Sequence, residues 1–85
     1  MSVKVIKDSK DELVLEFDGT DTTVADLVSS YLTATQDVEF AGVYKSHPEI
    51  GNPQLIIKAK NPKDKLNKAL SKIENDLDTI LKAIK

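Results

Sequence analysis

The amino-acid sequence predicts an α+β fold, a two-layer domain in which a four-stranded, largely antiparallel sheet carries two helices on one face. Four short runs of β-branched or alternating apolar residues are typical of strands. Two longer segments carry apolar residues three and four positions apart, which is typical of amphipathic helices. The elements follow the order β-β-α-β-β-α with a long C-terminal helix, and we expect residues 1–85 to form a single domain.

The first two strands are predicted to form a hairpin. Val3–Lys7 is a β-branched run, and the polar residues of 8–11 supply a turn. Leu13, Leu15 and Phe17 then alternate with other residues, which indicates a strand with one buried face. The short connection favours direct antiparallel pairing of the two strands.

The first helix follows the hairpin and is predicted from an apolar stripe. Asp21, Thr22 and Thr23 are all competent N-caps, and Thr23 with Asp26 resembles a capping box. The stripe recurs at i, i+3, i+4, i+7 and i+8. Its members are Val24, Leu27, Val28, Tyr31 and Leu32.

Two further strands are predicted around a loop. The third runs from Val38 to Tyr44, and we expect both of these residues to share one face with Phe40. Residues 46–53 contain two prolines and a glycine and are predicted to form a surface loop. The fourth strand is predicted over Leu55–Lys60, and its lysines near the end are typical of an edge strand.

The last helix begins with clear start signals and carries a regular seam. Asn61 is expected at the N-cap, Pro62 at the first helical position and Asp64 in the first turn. Apolar residues then step by four and three, as in the a/d seam of a coiled coil. The seam comprises Leu66, Leu70, Ile73, Leu77, Ile80 and Ile84, and Ala69 and Leu81 widen it.

This helix is longer than the predicted sheet. Residues 62–85 as helix span about 36 Å, whereas seven-residue strands span about 23 Å. One end should therefore project by up to about 13 Å. If the C-terminal end projects, its apolar residues are uncovered and form a candidate interaction surface. The alternative is a helix that lies diagonally and buries its whole seam within the chain.

Composition excludes several ways of stabilising so small a chain. The 85 residues include no cysteine and one histidine, so disulfides, thiolate metal sites and multi-histidine sites are excluded. Association with a partner remains. The longest apolar stretch, 40–44, is too short to span a bilayer, and the N-terminal residues lack the apolar region of a signal peptide.

Neither nucleic-acid readout nor catalysis is predicted. All 12 basic residues are lysine and the net charge is −2, whereas base readout favours arginine. His47 has only Glu49 as a local partner, and we expect it to make a structural or interface contact. Phosphate-binding glycine loops and nucleophile motifs are absent from the sequence. We therefore expect no catalytic residue, metal, cofactor or small-molecule substrate.

Two segments resemble a known family. Residues 16–28, read as EFDGTDTTVADLV, resemble the segment of archaeal RNA polymerase subunit L that reads in outline E-x-x-G-E-D-H-T-L-x-N-L-L. Residues 38–48 resemble its V-x-F-A-x-Y…H-P segment, and Pro53 and Asn61–Pro62 continue the match in order. Thr22 and Asp26 stand where the family has histidine and asparagine.

The resemblance implies a non-catalytic, cytoplasmic assembly subunit of DNA-directed RNA polymerase. Such a subunit pairs with a D-type subunit, and the heterodimer is the platform on which the large catalytic subunits assemble. His47 and Pro48 are candidate loop contacts. By position, the dimer surface would comprise Val24, Leu27, Val28, Tyr31, Leu32, Leu70, Ile73, Leu77, Ile80, Leu81 and Ile84.

A second interpretation uses the same residues differently. The chain could be a small α/β homodimeric adaptor or a regulatory ligand-binding module. The 46–53 loop would then hold the ligand, with His47 and Glu49 as its polar groups. Purification of the chain from its host separates the two interpretations, since only a polymerase subunit brings large subunits with it.

Overall fold

The computed structural model describes residues 2–19, 21–46 and 51–85 and confirms the predicted order of elements. Each predicted strand and helix is present, with ends that coincide with those expected or differ by at most two residues. The elements are β1 (Val3–Asp8), β2 (Glu12–Phe17), α1 (Thr23–Thr33), β3 (Val38–Tyr44), β4 (Gln54–Ala59) and α2 (Pro62–Ala83).

The four strands form one antiparallel sheet in the order β1-β2-β4-β3. The expectation that β4 lies at an edge is wrong, because it pairs with both β2 and β3. Ile57 shows this directly, since it lies opposite Leu13 on one side and Ala41 on the other. The apolar residues of β4 explain the position: Leu55 and Ile57 are fully buried, and such residues need a neighbour on each side. Lys58 is exposed although its strand is central.

The core lies between the sheet and α1, with a small contribution from α2. Alternate residues of β2 and β4 face the helices, and Leu66 and Ile73 of α2 pack against them half-buried. Ala69 is the buried core residue that α2 supplies. The buried cluster comprises Leu13, Phe17, Ala25, Val28, Leu32, Leu55, Ile57 and Ala69.

A β-bulge in β3 changes which of its residues share a face. The register shifts between Val38 and Phe40, so Val38 packs against the core. Phe40 and Tyr44 remain about half exposed, which corrects the prediction that all three residues share one face. The Phe40 ring lies over Gly42, with Cζ only 2.8 Å from the point where a Cβ would stand.

The start of α1 differs in detail from the predicted capping box. Thr23 is the first helical residue, and Thr22 precedes it without capping the helix through its side chain. Asp21 bonds the first helical residue instead: its Oδ1 accepts hydrogen bonds from the Thr23 backbone N–H at 2.9 Å and from Thr23 Oγ1 at 2.6 Å. These two bonds, the side-chain bond first, lower the pKa of Asp21.

The start of α2 is held at the turn between β1 and β2. Asn61 occupies the predicted N-cap position but has left-handed backbone (φ 52°) and makes no side-chain cap. The chain reverses there between β4 and α2, and asparagine tolerates this conformation better than most residues. Its N–H donates to Lys10 O at 3.0 Å, and Lys63 pairs with Asp8 at 2.7 Å. The C-terminal end of α2 is therefore the end that can project.

Candidate dimerisation surface

The apolar seam of α2 is continuous in sequence but divided by the tertiary structure. In the first half, Pro62 and Ala69 are buried and Ile73 is half-buried against the core. Every residue from 74 to 85 is exposed. The sheet and α1 therefore cover the seam only as far as residue 73.

The second half of the seam presents large apolar side chains to solvent. Leu77 and Ile80 are each 59% exposed, and Ile84 is 76% exposed. Leu70 and Leu81 are also more than two-fifths exposed. Residues 74–84 extend about 15 Å along the helix axis. The predicted projection is confirmed, and the alternative of a diagonal helix with a fully buried seam is wrong.

One hydrogen bond joins the projecting half of α2 to α1. Tyr31 donates its hydroxyl to Asp76 Oδ2 at 2.7 Å. The bond, together with partial desolvation, raises the pKa of Tyr31, because ionisation would place a phenolate against the carboxylate. Within the projecting half itself, Lys82 pairs with Asp78 one turn away at 3.1 Å. The Tyr31 bond is therefore the contact that joins the exposed half of the seam to α1.

The predicted surface residues of α1 separate into two groups. Val28 and Leu32 were expected at the dimer surface but lie in the core of this chain, with Leu32 0% exposed. They form the side of the stripe that meets the sheet. Val24 and Leu27 are more than two-fifths exposed, and Tyr31 is half-buried. The stripe of α1 is therefore wide enough to serve both the core and an outer surface.

Two other groups of exposed apolar residues were not predicted as a surface. Val3, Val5 and Ile6 on β1 are about half exposed, because β1 is an edge strand and every one of its residues is exposed. Phe40 and Tyr44 of β3 are about half exposed as well. The hairpin prediction gave a signal for the first group, since a strand with a single expected partner lies at an edge.

Ion pairs on the described surface include Lys7 with Glu12 at 2.6 Å and Lys63 with Asp8 at 2.7 Å. One depression lies between the β1–β2 turn and the first turn of α2, where Lys63 and Asp8 pair with each other. In residues 2–19, 21–46 and 51–85, no group of three His, Asp or Glu side chains is placed to hold a metal ion. No helix in the same residues is long and apolar enough to cross a bilayer.

The loop candidates His47 and Pro48 lie outside the described residues, as does Glu49. The described part of the predicted loop includes Asn52, whose Oδ1 accepts a bond from the Gly19 N–H at 3.1 Å. The end of the loop is therefore bonded to the chain that follows β2.

Comparison with known proteins places this geometry in a family. The family described as the RNA polymerase Rpb3/Rpb11 dimerisation domain matches residues 12–83. DNA-directed RNA polymerase subunit L from Thermoplasma acidophilum has a similar structure, with a TM-score of 0.74 and 29% identity. The match covers 96% of this chain and 86% of that one.

Archaeal proteins of known identity are similar over nearly their full length. Subunit Rpo11 of DNA-directed RNA polymerase from Sulfurisphaera tokodaii is 32% identical over 88 residues, covering 100% of this chain and 95% of the relative. Rpo11 from Methanothermobacter thermautotrophicus is 30% identical over 82 residues, with 96% of each chain covered. From the family match and these relatives, the chain belongs to the Rpb3/Rpb11 dimerisation-domain family, among the Rpo11 (L) subunits of DNA-directed RNA polymerase.

Proposed function

We propose that this chain is a non-catalytic assembly subunit of a cytoplasmic DNA-directed RNA polymerase. It pairs as a single dimerisation domain, residues 1–85, with a D-type subunit, and the heterodimer is the platform for the large catalytic subunits. The observation that carries the proposal is the exposed half of the α2 seam, where Leu77, Ile80 and Ile84 are more than half exposed. A monomer rarely leaves a contiguous row of large apolar side chains in water.

The proposed contact surface combines the exposed parts of both helices. On α2 it comprises the seam beyond Ile73 with Leu70 and Leu81, and on α1 it comprises Val24 and Leu27. A partner helix pair laid against these residues removes them from water. Burial of large apolar side chains at the centre of a contact is the main source of affinity in protein interfaces. Val28 and Leu32 support the surface from the core rather than contacting the partner.

Catalysis is assigned to the large subunits in this proposal. The relatives are subunits of a nucleotidyl-transferring complex, and the role of this chain is to bring other chains together. The exposed apolar residues of its helices suit that role, because burial of apolar surface stabilises a complex without any reactive group. In this proposal the loop candidates His47 and Pro48 contact further subunits. Replacing His47 by alanine is expected to weaken those contacts and to leave the heterodimer intact.

Co-expression with the D-type subunit of the same organism tests the proposal. The expected result is a 1:1 complex in size-exclusion chromatography with light scattering, and purification of the tagged chain from its host brings the large polymerase subunits with it. A chain that elutes alone or as a homodimer, with no large subunits, contradicts the proposal. That second result is what the adaptor or ligand-binding interpretation requires.

A further inference from the structure

Charged side chains are distributed unevenly around α2. In a seam that steps by four and three, the bordering positions are 67, 69, 74, 76, 81 and 83. Glu74 and Asp76 are the charged residues among them, and both are exposed. The rim of the exposed seam is therefore acidic.

The lysines of α2 lie elsewhere. Lys68, Lys72 and Lys82 occupy positions on the outer side of the helix, away from the seam. Lys65 is half-buried and donates to Lys60 O at 3.2 Å. Lys63 follows the seam spacing, but it lies in the first turn and pairs with Asp8 at 2.7 Å. Helix α1 has no lysine, and Asp26 is its charged residue. Within α1 and α2, carboxylates and no lysine border the exposed apolar residues; Lys85 follows Ile84 just beyond the helix.

This arrangement discriminates between possible occupants of the surface. A second copy of the chain packed seam against seam supplies the same acidic rim, so the carboxylates of both copies lose water without gaining a cation. Leaving charges unpaired in a contact is costly, and like charges brought together add to the cost. A partner with lysine or arginine at its own bordering positions pairs with these carboxylates and also fits the apolar seam.

We infer that the partner presents an apolar helix seam bordered by lysine or arginine, and that the acidic rim of α2 selects this partner over a second copy. The inference rests on the proposed function, because it names the chemistry of the partner's surface at the same site. Glu74 makes no hydrogen bond or ion pair with the described residues, so its carboxylate is available to a partner. Asp76 is bonded to Tyr31 through Oδ2, which fixes the position of the second carboxylate.

The experiment compares Glu74→Lys with the matched control Glu39→Lys, which makes the same charge change on β3. Binding to the D-type subunit is measured by isothermal titration calorimetry in about 50 mM and about 500 mM salt. A lysine at position 74 lies four residues before Asp78, an i,i+4 spacing that supports the helix, so the variant is expected to fold. Circular dichroism checks this.

We expect Glu74→Lys to weaken binding about tenfold in low salt, because an attraction is replaced by a repulsion. The difference shrinks in high salt, where exposed charges are screened. Glu39→Lys binds like the wild type, and exchanging the partner's bordering lysine or arginine for glutamate restores binding of Glu74→Lys. Equal affinity of wild type and Glu74→Lys overturns the inference but leaves the heterodimer in place. Absence of any wild-type heterodimer overturns the proposed function itself.

Discussion

Replacing Leu77 by lysine separates a contact surface from a core. Leu77 lies in the exposed half of the seam, with 59% of its surface open to solvent in the isolated chain. Full burial of a leucine contributes about 1.5–3 kcal/mol, so a partner that covers the exposed part gains about 1–2 kcal/mol from it. An unpaired ammonium in that contact adds several kcal/mol of cost. The total is about 4 kcal/mol, or roughly a thousandfold in Kd.

The isolated chain is expected to tolerate the same change. Lysine and leucine have similar helix propensities, and exposed substitutions usually change stability by less than about 0.5 kcal/mol. The Tm of the isolated variant should therefore fall by less than about 4 °C. Leu32 provides the contrast, because it is 0% exposed. Leu32→Ala removes core packing and is expected to cost about 2–5 kcal/mol, lowering Tm by about 10 °C or more.

Two measurements distinguish a contact surface from a core position at Leu77. Thermal unfolding followed by circular dichroism gives the Tm of each isolated chain, and calorimetric titration with the D-type subunit gives Kd. Leu77→Ala is the matched variant for comparison with Leu32→Ala, since the chemical change is the same at both sites. If Leu77→Lys lowers Tm as much as Leu32→Ala does, the seam belongs to the core and the reasoning fails. Unchanged binding by a folded Leu77→Lys chain refutes it as well.

Four further changes test the structure itself. Tyr31→Phe removes the hydrogen bond to the α2 carboxylate and should speed amide hydrogen exchange in residues 74–83. Because the pKa of Tyr31 is raised, the difference in exchange rate between variant and wild type should be full below about pH 10 and should disappear as pH rises through that raised pKa. Asp21→Ala should lower Tm at pH 7. Because the pKa of Asp21 is lowered, the Tm difference from wild type should shrink as pH falls below about 4, and a difference that does not shrink there argues against the cap. Gly19→Ala should cost about 1–2 kcal/mol in urea unfolding, since φ is +106° and open space surrounds the site, so the cost is backbone strain alone. Gly42→Ala should cost less than about 1 kcal/mol, because the clashing Phe40 ring end is exposed and can move; a larger loss at Gly42 than at Gly19 contradicts both assignments.

The local patterns that predicted the elements were sufficient because they depend on neighbours in the chain. The spacing of Val24, Leu27 and Tyr31 indicates a helix whatever lies beside it, and the alternation of Leu13 and Phe17 indicates a strand in the same way. The resemblance of two segments to subunit L pointed to the family that the comparisons then showed.

Details that depend on nonlocal geometry were predicted incorrectly or not at all. The lysines of β4 indicated an edge, but strand order is decided by which apolar strand can be covered on both sides, and β4 is central. The bulge that turns Val38 toward the core is set by pairing with β4 and has no signature in the alternation of β3. At the start of α1, Asp21 rather than Thr23 bonds the first turn, since several adjacent residues were equally able to do so.

The sequence by itself determined that α2 carries an unbroken apolar seam from Leu66 to Ile84 and that its rim holds Glu74 and Asp76. The spacing of the apolar residues and the types of residue beside them are properties of one segment, so no other part of the molecule can alter them. Only the tertiary structure decided where the seam changes from core to surface. That boundary lies at Ile73, because the anchored start of α2 and the lengths of the sheet and α1 determine how far the covering layer extends.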